Sequence, residues 1–198
     1  MSGKPAGMTD RISGENVVMF TWVVGMHLLC FAAFFVGISW AAVITMLVLW
    51  QIGVFFIGAG YHRYFAHKAY KTSRVFQTIL AIGAVLQIQG GVRKWAQDHR
   101  HHHRYSDEPE DVHSPFFPNF FWSHMGWVLT LYERDLKKAG VKDLDRQPEL
   151  VWVDRLMVPI IIALVMALYA FGEALGPAYG TSGMQMVVWG FVVRTVLI

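Results

Sequence analysis

The sequence predicts an all-α integral membrane protein, with four transmembrane helices in two hairpins, the fourth truncated, and a helical cytosolic cap. Three observations carry that prediction. The chain of 198 residues is 55% hydrophobic and only 16% charged, whereas a soluble chain carries about a quarter charged residues. The apolar residues are gathered into long runs. The Lys and Arg residues are segregated, with 14 of the 17 falling between Arg63 and Arg155. A chain of this length is one domain.

The first run, residues 17–38, is apolar throughout apart from His27 and small polar residues. The second, residues 40–60, holds a single Gln51. A helix needs about 20 residues to cross the hydrocarbon core, and both runs suffice. Gly37-Ile38-Ser39 between them predicts a tight turn and so a helical hairpin. The third run, residues 156–172, lies between Asp154/Arg155 and Glu173, and the fourth, residues 184–198, is still apolar at Ile198. The connections inside the hairpins contain no Lys or Arg, while Lys4, Arg11 and the segment 61–155 supply 16 of the 17. The positive-inside rule therefore places the N-terminus and the 61–155 cap of this multi-pass protein on the cytoplasmic side. Within the cap, residues 75–88 and 116–131 are apolar but short and broken by polar groups, which predicts interfacial or re-entrant helices. If residues 75–88 crossed the bilayer, the histidines on either side of them would lie on opposite faces and share no site.

Acidic residues crowd the same cap as the basic ones, so it reads as a folded aqueous region and not as a nucleic-acid surface. The single cysteine, Cys30, sits in an apolar run. That excludes a disulfide scaffold and argues against a thiolate-held zinc.

Seven of the nine histidines fall between His62 and His113. His62 and His67 follow the second run directly. On a regular α-helix, residues five apart stand about 140° apart, so these rings converge only near a helix end. His99, His102 and His103 are three and four apart, which puts three rings on one helical face. Imidazole is a common ligand for iron, zinc and copper, and facing rings are costly unless something holds them. A tag-like tract does not fit, because the run is internal and interrupted by Arg100; a pH-sensing cluster is a further reading. His101 points off the shared face and is expected to be solvated or to sit behind the ligands. Five imidazoles exceed what one structural zinc needs, and histidines without thiolates suit iron and oxygen chemistry. Asp98, Asp107 and Asp111 are candidates to orient the rings through their second nitrogens. His27 is a functional candidate by depth but reads as a neutral residue bonded to a neighbouring helix. His124 reads as structural, and His113, in an acidic loop, stays open.

Four segments follow one another in a distinctive order. They are Gly60-Tyr61-His62-Arg63-Tyr64-Phe65-Ala66-His67, Trp95-Ala96-Gln97-Asp98-His99-Arg100-His101-His102-His103, Ser106-Asp107 through Asp111-Val112-His113, and Phe121-Trp122-Ser123-His124-Met125-Gly126-Trp127. Over residues 40–130 this pattern resembles the membrane-bound acyl-CoA desaturases of the delta-9, or stearoyl-CoA, type. The resemblance implies an oxygen-dependent enzyme. Two electrons from a separate electron-transfer protein would reduce a di-iron centre, which takes hydrogens from an unactivated methylene pair of a fatty acyl-CoA and leaves a cis double bond. It carries over His62, His67, His99, His102 and His103 as ligands of two iron ions, without assigning each to an iron. Trp95 matches a family position lining the acyl tunnel near the metal, and Asp98 joins it as a substrate-binding candidate. Arg93, Lys94 and Arg100 are candidates to face the phosphates of CoA.

The pattern departs from the family at Gln97, where animal enzymes commonly have Arg, and at Val112, where Pro is common. The family also has an Asn and a His after the fourth span and then a third histidine box, none of which occurs before Ile198. The expectation is a single desaturase domain, incomplete at its C-terminus, and a 198-residue fragment that lacks turnover by itself. Other histidine-box membrane oxygenases, such as a hydroxylase, a ketolase or an alkane monooxygenase, share the same iron site. A non-enzymatic metal-binding or transport protein would carry ionisable groups along its spans, where only His27, Glu173 and Arg194 lie near membrane depth.

Overall fold

The computed structural model describes residues 8–111, 113–116, 119–130, 132–134 and 140–198. Lys4, Val112 and the end of the 116–131 stretch at Leu131 lie outside the described residues. The helices are α1 (Gly14–Val36), α2 (Trp40–Ala66), α3 (Arg74–Val85), α4 (Val92–Arg104), α5 (residues 122–129), α6 (Lys142–Asp145), α7 (Pro148–Arg155), α8 (Met157–Tyr179) and α9 (Gly183–Leu197). Helices α1, α2 and α8, with 23, 27 and 23 residues, are long and apolar enough to cross a membrane; α9 is apolar but shorter. The all-α membrane class predicted from hydropathy is the class observed. Its one exception among the described residues is an antiparallel ribbon of β1 (Met8–Ile12) and β2 (Tyr132–Arg134), with Met8 opposite Arg134 and Ile12 opposite Tyr132.

The chain divides into two compact units, Met26–Ala96 with Lys142–Ile198, and Met1–Gly25 with Gln97–Val141. In the first unit the apolar helices share one core. Met26 of α1, Ala42 of α2, Leu168 of α8, and Met186, Phe191 and Val192 of α9 are buried together. Many apolar side chains instead face outward, among them Phe34, Phe35 and Trp40, each more than four-fifths exposed at 83%, 88% and 81%. Outward apolar faces of this kind belong against lipid, where hydrocarbon replaces water as the neighbour.

Both hairpin turns open on a capped helix. The Ser39 hydroxyl accepts the Ala42 N–H at the start of α2, and that of Ser182 accepts the Gln185 N–H at the start of α9, each satisfying a donor that the first helical turn leaves free. The two turns are also tied together. Ser39 Oγ donates to Thr181 Oγ1 at 2.8 Å, Gln185 Nε2 to the Val36 carbonyl at 2.9 Å, and Trp189 Nε1 to the Gly37 carbonyl at 2.9 Å. The α8–α9 hairpin is close enough that a Cβ at Gly172 would stand 2.5 Å from the Ser182 carbonyl oxygen.

Two helix ends differ from the sequence-based bounds. Helix α8 runs through Glu173 to Tyr179, because the Glu173 carboxylate accepts the Gly183 N–H at 2.8 Å and so has a partner within the hairpin. Helix α2 continues past Gly60 to Ala66, carrying His62 on the helix itself.

Helix α3, from the 75–88 stretch, is amphipathic. It buries Gln77, Leu80, Ala81, Gly83, Ala84 and Val85 and packs against α2 and α7. Its N-terminus is capped by Ser73, which accepts the Phe76 N–H at 3.2 Å, and is bridged to α7 by Arg74, which donates to both oxygens of Glu149 at 2.9 and 2.6 Å.

Candidate metal centre

His62 lies on a part of α2, Phe56–Ala66, that is wound as a π-helix, and His67 is the C-cap residue that follows it. The His67 N–H donates to the His62 carbonyl at 3.0 Å, an i→i+5 bond. Residues five apart then stand one turn apart on one face, instead of the 140° or so of a regular helix. The two rings meet edge to face with centroids 4.5 Å apart. The expected convergence near a helix end is present: His67 is the C-cap residue of α2, and the widened last turn brings its ring to that of His62.

In the same unit, Tyr61 is fully buried and donates its hydroxyl hydrogen to the Gly90 carbonyl at 2.5 Å. The Trp95 ring stacks on it at 4.9 Å with 9° between planes, and the Trp95 indole N–H donates to Gln89 Oε1 at 3.1 Å. Trp95 is therefore fixed on its face and at its nitrogen. The start of α4 is fixed as well. Asp154 of α7 accepts from the Val92 N–H at 2.6 Å, the Arg93 N–H at 3.3 Å and Arg93 Nε at 2.8 Å. A carboxylate there satisfies free N–H groups and sits at the positive end of the helix dipole. Asp145 takes a further bond from Arg93 Nη1 at 3.1 Å. These contacts, the Asp154 hydrogen bond first, raise the Arg93 pKa. Arg93, a sequence candidate for phosphate, is engaged with two carboxylates.

The second unit holds His99, His102 and His103 of α4. His99 Nε2 and His103 Nε2 face each other at 3.1 Å. His102 is 5.9 Å from His99 and 5.2 Å from His103 between ring centroids. The helical spacing has put the three rings together, as predicted. Behind them lies Asp111, 1% exposed, whose two oxygens stand 2.8 and 2.9 Å from His102 Nδ1. An ionised carboxylate only accepts, so His102 donates from Nδ1 and keeps Nε2 for another partner. The carboxylate is itself held by the backbone N–H of Asp107 at 3.4 Å and of His113 at 3.1 Å. Of the three aspartates that could orient a ring, Asp111 is the one bonded to His102, and Asp107 contributes its backbone to that carboxylate. Asp98 is half-buried on α4, next to His99.

His113 stacks on His102 at 4.1 Å with 26° between planes. One ligand atom from each of His102, Asp111 and His113 lies within 4.8 Å of the others. Burial first, and then the neighbouring His102, lower the His113 pKa. The Ser123 hydroxyl donates to the His113 carbonyl and anchors this loop to α5. His124 is exposed and stacks on Phe120 at 5.9 Å.

Of the two places expected for His101, in solvent or behind the ligands, the solvated one is not observed. His101 is 1% exposed, with Nε2 3.0 Å from the Glu110 carbonyl oxygen. The loop after α4 turns back through bonds from Glu108 N–H to the Tyr105 carbonyl and from Asp111 N–H to the Glu108 carbonyl, and it covers that side of the helix.

The donors present suit a transition metal. Metal–imidazole bonds of about 2.0–2.1 Å place two adjacent nitrogens roughly 3 Å apart, which is the spacing of His99 and His103. A carboxylate behind a ligating histidine is the usual orienting partner. Sequence reasoning missed three features: the π-turn, Asp154 and the place of His113. The Asp111-Val112-His113 spacing was the available signal for the last.

The chain is similar to several known proteins. The family model for fatty acid desaturases matches residues 38–198. The chain is 32% identical over 182 residues to an acyl-CoA Delta(11) desaturase of Spodoptera littoralis, covering 88% of this chain and 51% of that protein. It is 30% identical over 168 residues to Delta-9 acyl-lipid desaturase 1 of Arabidopsis thaliana, covering 83% and 51%. It is 30% identical over 190 residues to the sn-1 stearoyl-lipid 9-desaturase of Anabaena variabilis, covering 94% and 64%. The chain spans about half the length of the insect and plant relatives.

Proposed function

Because the chain belongs to the fatty acid desaturase family, we propose that it serves oxygen-dependent desaturation of long-chain fatty acyl groups, with two iron ions held by His62, His67, His99, His102 and His103. The observation that carries this reading is the His99–His103 pair at 3.1 Å, beside a His102 whose Nδ1 is locked by buried Asp111. Bound iron would supply the oxygen activation and hydrogen abstraction that no side chain here performs. The residues do the rest. Asp111 holds the proton of His102 at Nδ1 and leaves Nε2 to the metal. The π-turn keeps His62 beside His67. Tyr61 and Trp95 form a fixed apolar wall suited to an acyl chain, with Asp98 as a further substrate-side group.

The proposed substrate is a long-chain acyl-CoA, given a cis double bond at delta-9, with molecular oxygen and a separate electron-transfer protein as partners. The relatives are named for both acyl-CoA and acyl-lipid substrates, so the carrier is read from experiment. The Lys/Arg asymmetry of the sequence supports a membrane orientation with the N-terminus and the histidines on the cytoplasmic side.

The test is iron loading of the detergent-purified chain under anaerobic Fe(II). Bound iron that falls in His99→Ala and in His103→Ala is expected. Retention of no iron, or iron binding unchanged by both substitutions, would overturn the reading. Turnover of stearoyl-CoA or a stearoyl-lipid with oxygen and a reduced carrier protein, the new double bond located by mass spectrometry, would fix the carrier and the position and would overturn the expectation that these 198 residues alone are inactive.

A further inference from the structure

Arg194 lies in apolar helix α9 and is only 2% exposed. Its partners among the described residues are neutral. Nη1 donates to Gln87 Oε1 at 2.5 Å, Nη2 to the Leu86 carbonyl at 3.2 Å, and Nε to the Gly190 carbonyl at 3.4 Å. A buried cation without a carboxylate is costly, and an apolar side chain would serve the packing of α9 better. An ionisable group at such depth is therefore explained by what it grips.

It grips the C-terminal end of α3, where free carbonyls and the negative end of the helix dipole meet a cation. The turn that follows holds one strained residue, Ile88, while glycine occupies its other positive-φ position. Ile88 has φ 62° and Gly90 φ 105°, and a β-branched residue in the left-handed region is an outlier. Such conformations persist only where their surroundings hold them. On the far side of the turn, Gln89 Oε1 accepts from the Trp95 indole, and the Gly90 carbonyl accepts from Tyr61.

We infer that Arg194 is a positioning residue for Trp95: by holding Leu86 and Gln87 it keeps residues 86–90 in the strained turn from which Gln89 and Gly90 fix Trp95 against Tyr61. The functional meaning rests on the desaturase reading, in which Trp95 is an acyl-chain contact. The test reads the turn itself and is independent of that reading.

Hydrogen exchange of the full chain in detergent is compared for the wild type, Arg194→Met, Arg194→Lys and the double variant Arg194→Met/Ile88→Gly. Arg194→Met is expected to speed exchange at residues 86–92 by tenfold or more and to leave the α1–α2 hairpin unchanged. Arg194→Lys keeps the charge and should preserve part of the protection. Ile88→Gly relieves the positive φ and should restore much of it in the Arg194→Met background. The near-UV circular dichroism difference between each protein and its Trp95→Phe counterpart reports the Trp95–Tyr61 stack and should follow the same order. Unchanged exchange in Arg194→Met, equal loss of protection everywhere, or no rescue by Ile88→Gly would overturn the inference. If Arg194→Met does not fold, Arg194→Lys is read alone, and unchanged exchange at residues 86–92 overturns it. Absent iron binding would count against the desaturase reading and leave this measurement standing.

Discussion

His67 donates its backbone N–H to the carbonyl of His62 across 3.0 Å, and that i→i+5 bond brings the ring of this C-cap residue to the ring of His62 at the end of α2. A regular turn would separate them by about 140°. Gly58 lies in the same π-wound stretch and has open space where a Cβ would stand. Deleting Gly58 is predicted to return the stretch to α-helical winding and part the rings. Co(II) affinity should fall about tenfold or more, the scale of losing a well-placed ligand environment, with far-UV circular dichroism unchanged. Wild-type affinity in the deletion variant would mean that the π-turn does not set the metal geometry.

Asp111 is predicted to act through His102. In Asp111→Asn the amide no longer compels His102 to donate from Nδ1, and Asp111→Ala leaves that nitrogen without its partner. Metal affinity should fall about 10–100-fold in Asp111→Ala, and less in Asp111→Asn. Competition titrations with a chromophoric chelator measure both. Equal affinity in all three proteins would remove Asp111 from the site.

How much of this was legible in the sequence depends on how local each cause is. The membrane class follows from runs of apolar residues, and the face shared by His99, His102 and His103 follows from spacings of three and four within one helix. The π-winding that ends at His67 leaves no such local mark, because the apolar run of Phe56–Ala66 has no periodicity that separates a five-residue turn from a four-residue one. Asp111 could be read only as one acid among several, since its burial depends on how the loop after α4 folds back. The bond from Val92 N–H to Asp154 joins residues 62 apart, and the ribbon pairs Met8 with Arg134; neither pairing has a periodic signature. In the sequence Glu173 reads as a boundary charge, while its partner, the Gly183 N–H, comes from the other arm of the hairpin and α8 runs on to Tyr179.

Asp154→Ala should loosen the N-terminus of the histidine helix. It removes the acceptor for two backbone N–H groups and for Arg93 Nε. Loss of a helix N-cap costs about 0.5–2 kcal/mol, and Arg93, left with Asp145, adds to the effect. Gly91→Ala should act on the same contact, because its Cβ would meet the Asp154 carboxylate at 2.9 Å. Thermal unfolding in detergent should show both variants melting below the wild type. A wild-type melting temperature for Asp154→Ala would show that the cap contributes nothing.

The Arg74–Glu149 bridge between α3 and α7 predicts a dependence on acid. The hydrogen bonds from Arg74 are the first cause holding the Glu149 carboxyl below its ordinary value near 4.5. The unfolded chain therefore binds more protons than the folded one in the window below that value, and stability rises with pH there. The contribution is complete above the ordinary carboxyl pKa and is lost as pH falls through the depressed one. Glu149→Gln should thus melt below the wild type at pH 7, by the small margin of a solvent-screened pair, and the gap should close towards pH 3. Gln77 Nε2 also donates to Glu149 Oε1, at 3.2 Å. An amide can accept that bond as well, so the pH-dependent part isolates Arg74. A gap that stays constant from pH 7 to pH 3 would show that the ion pair is not its source.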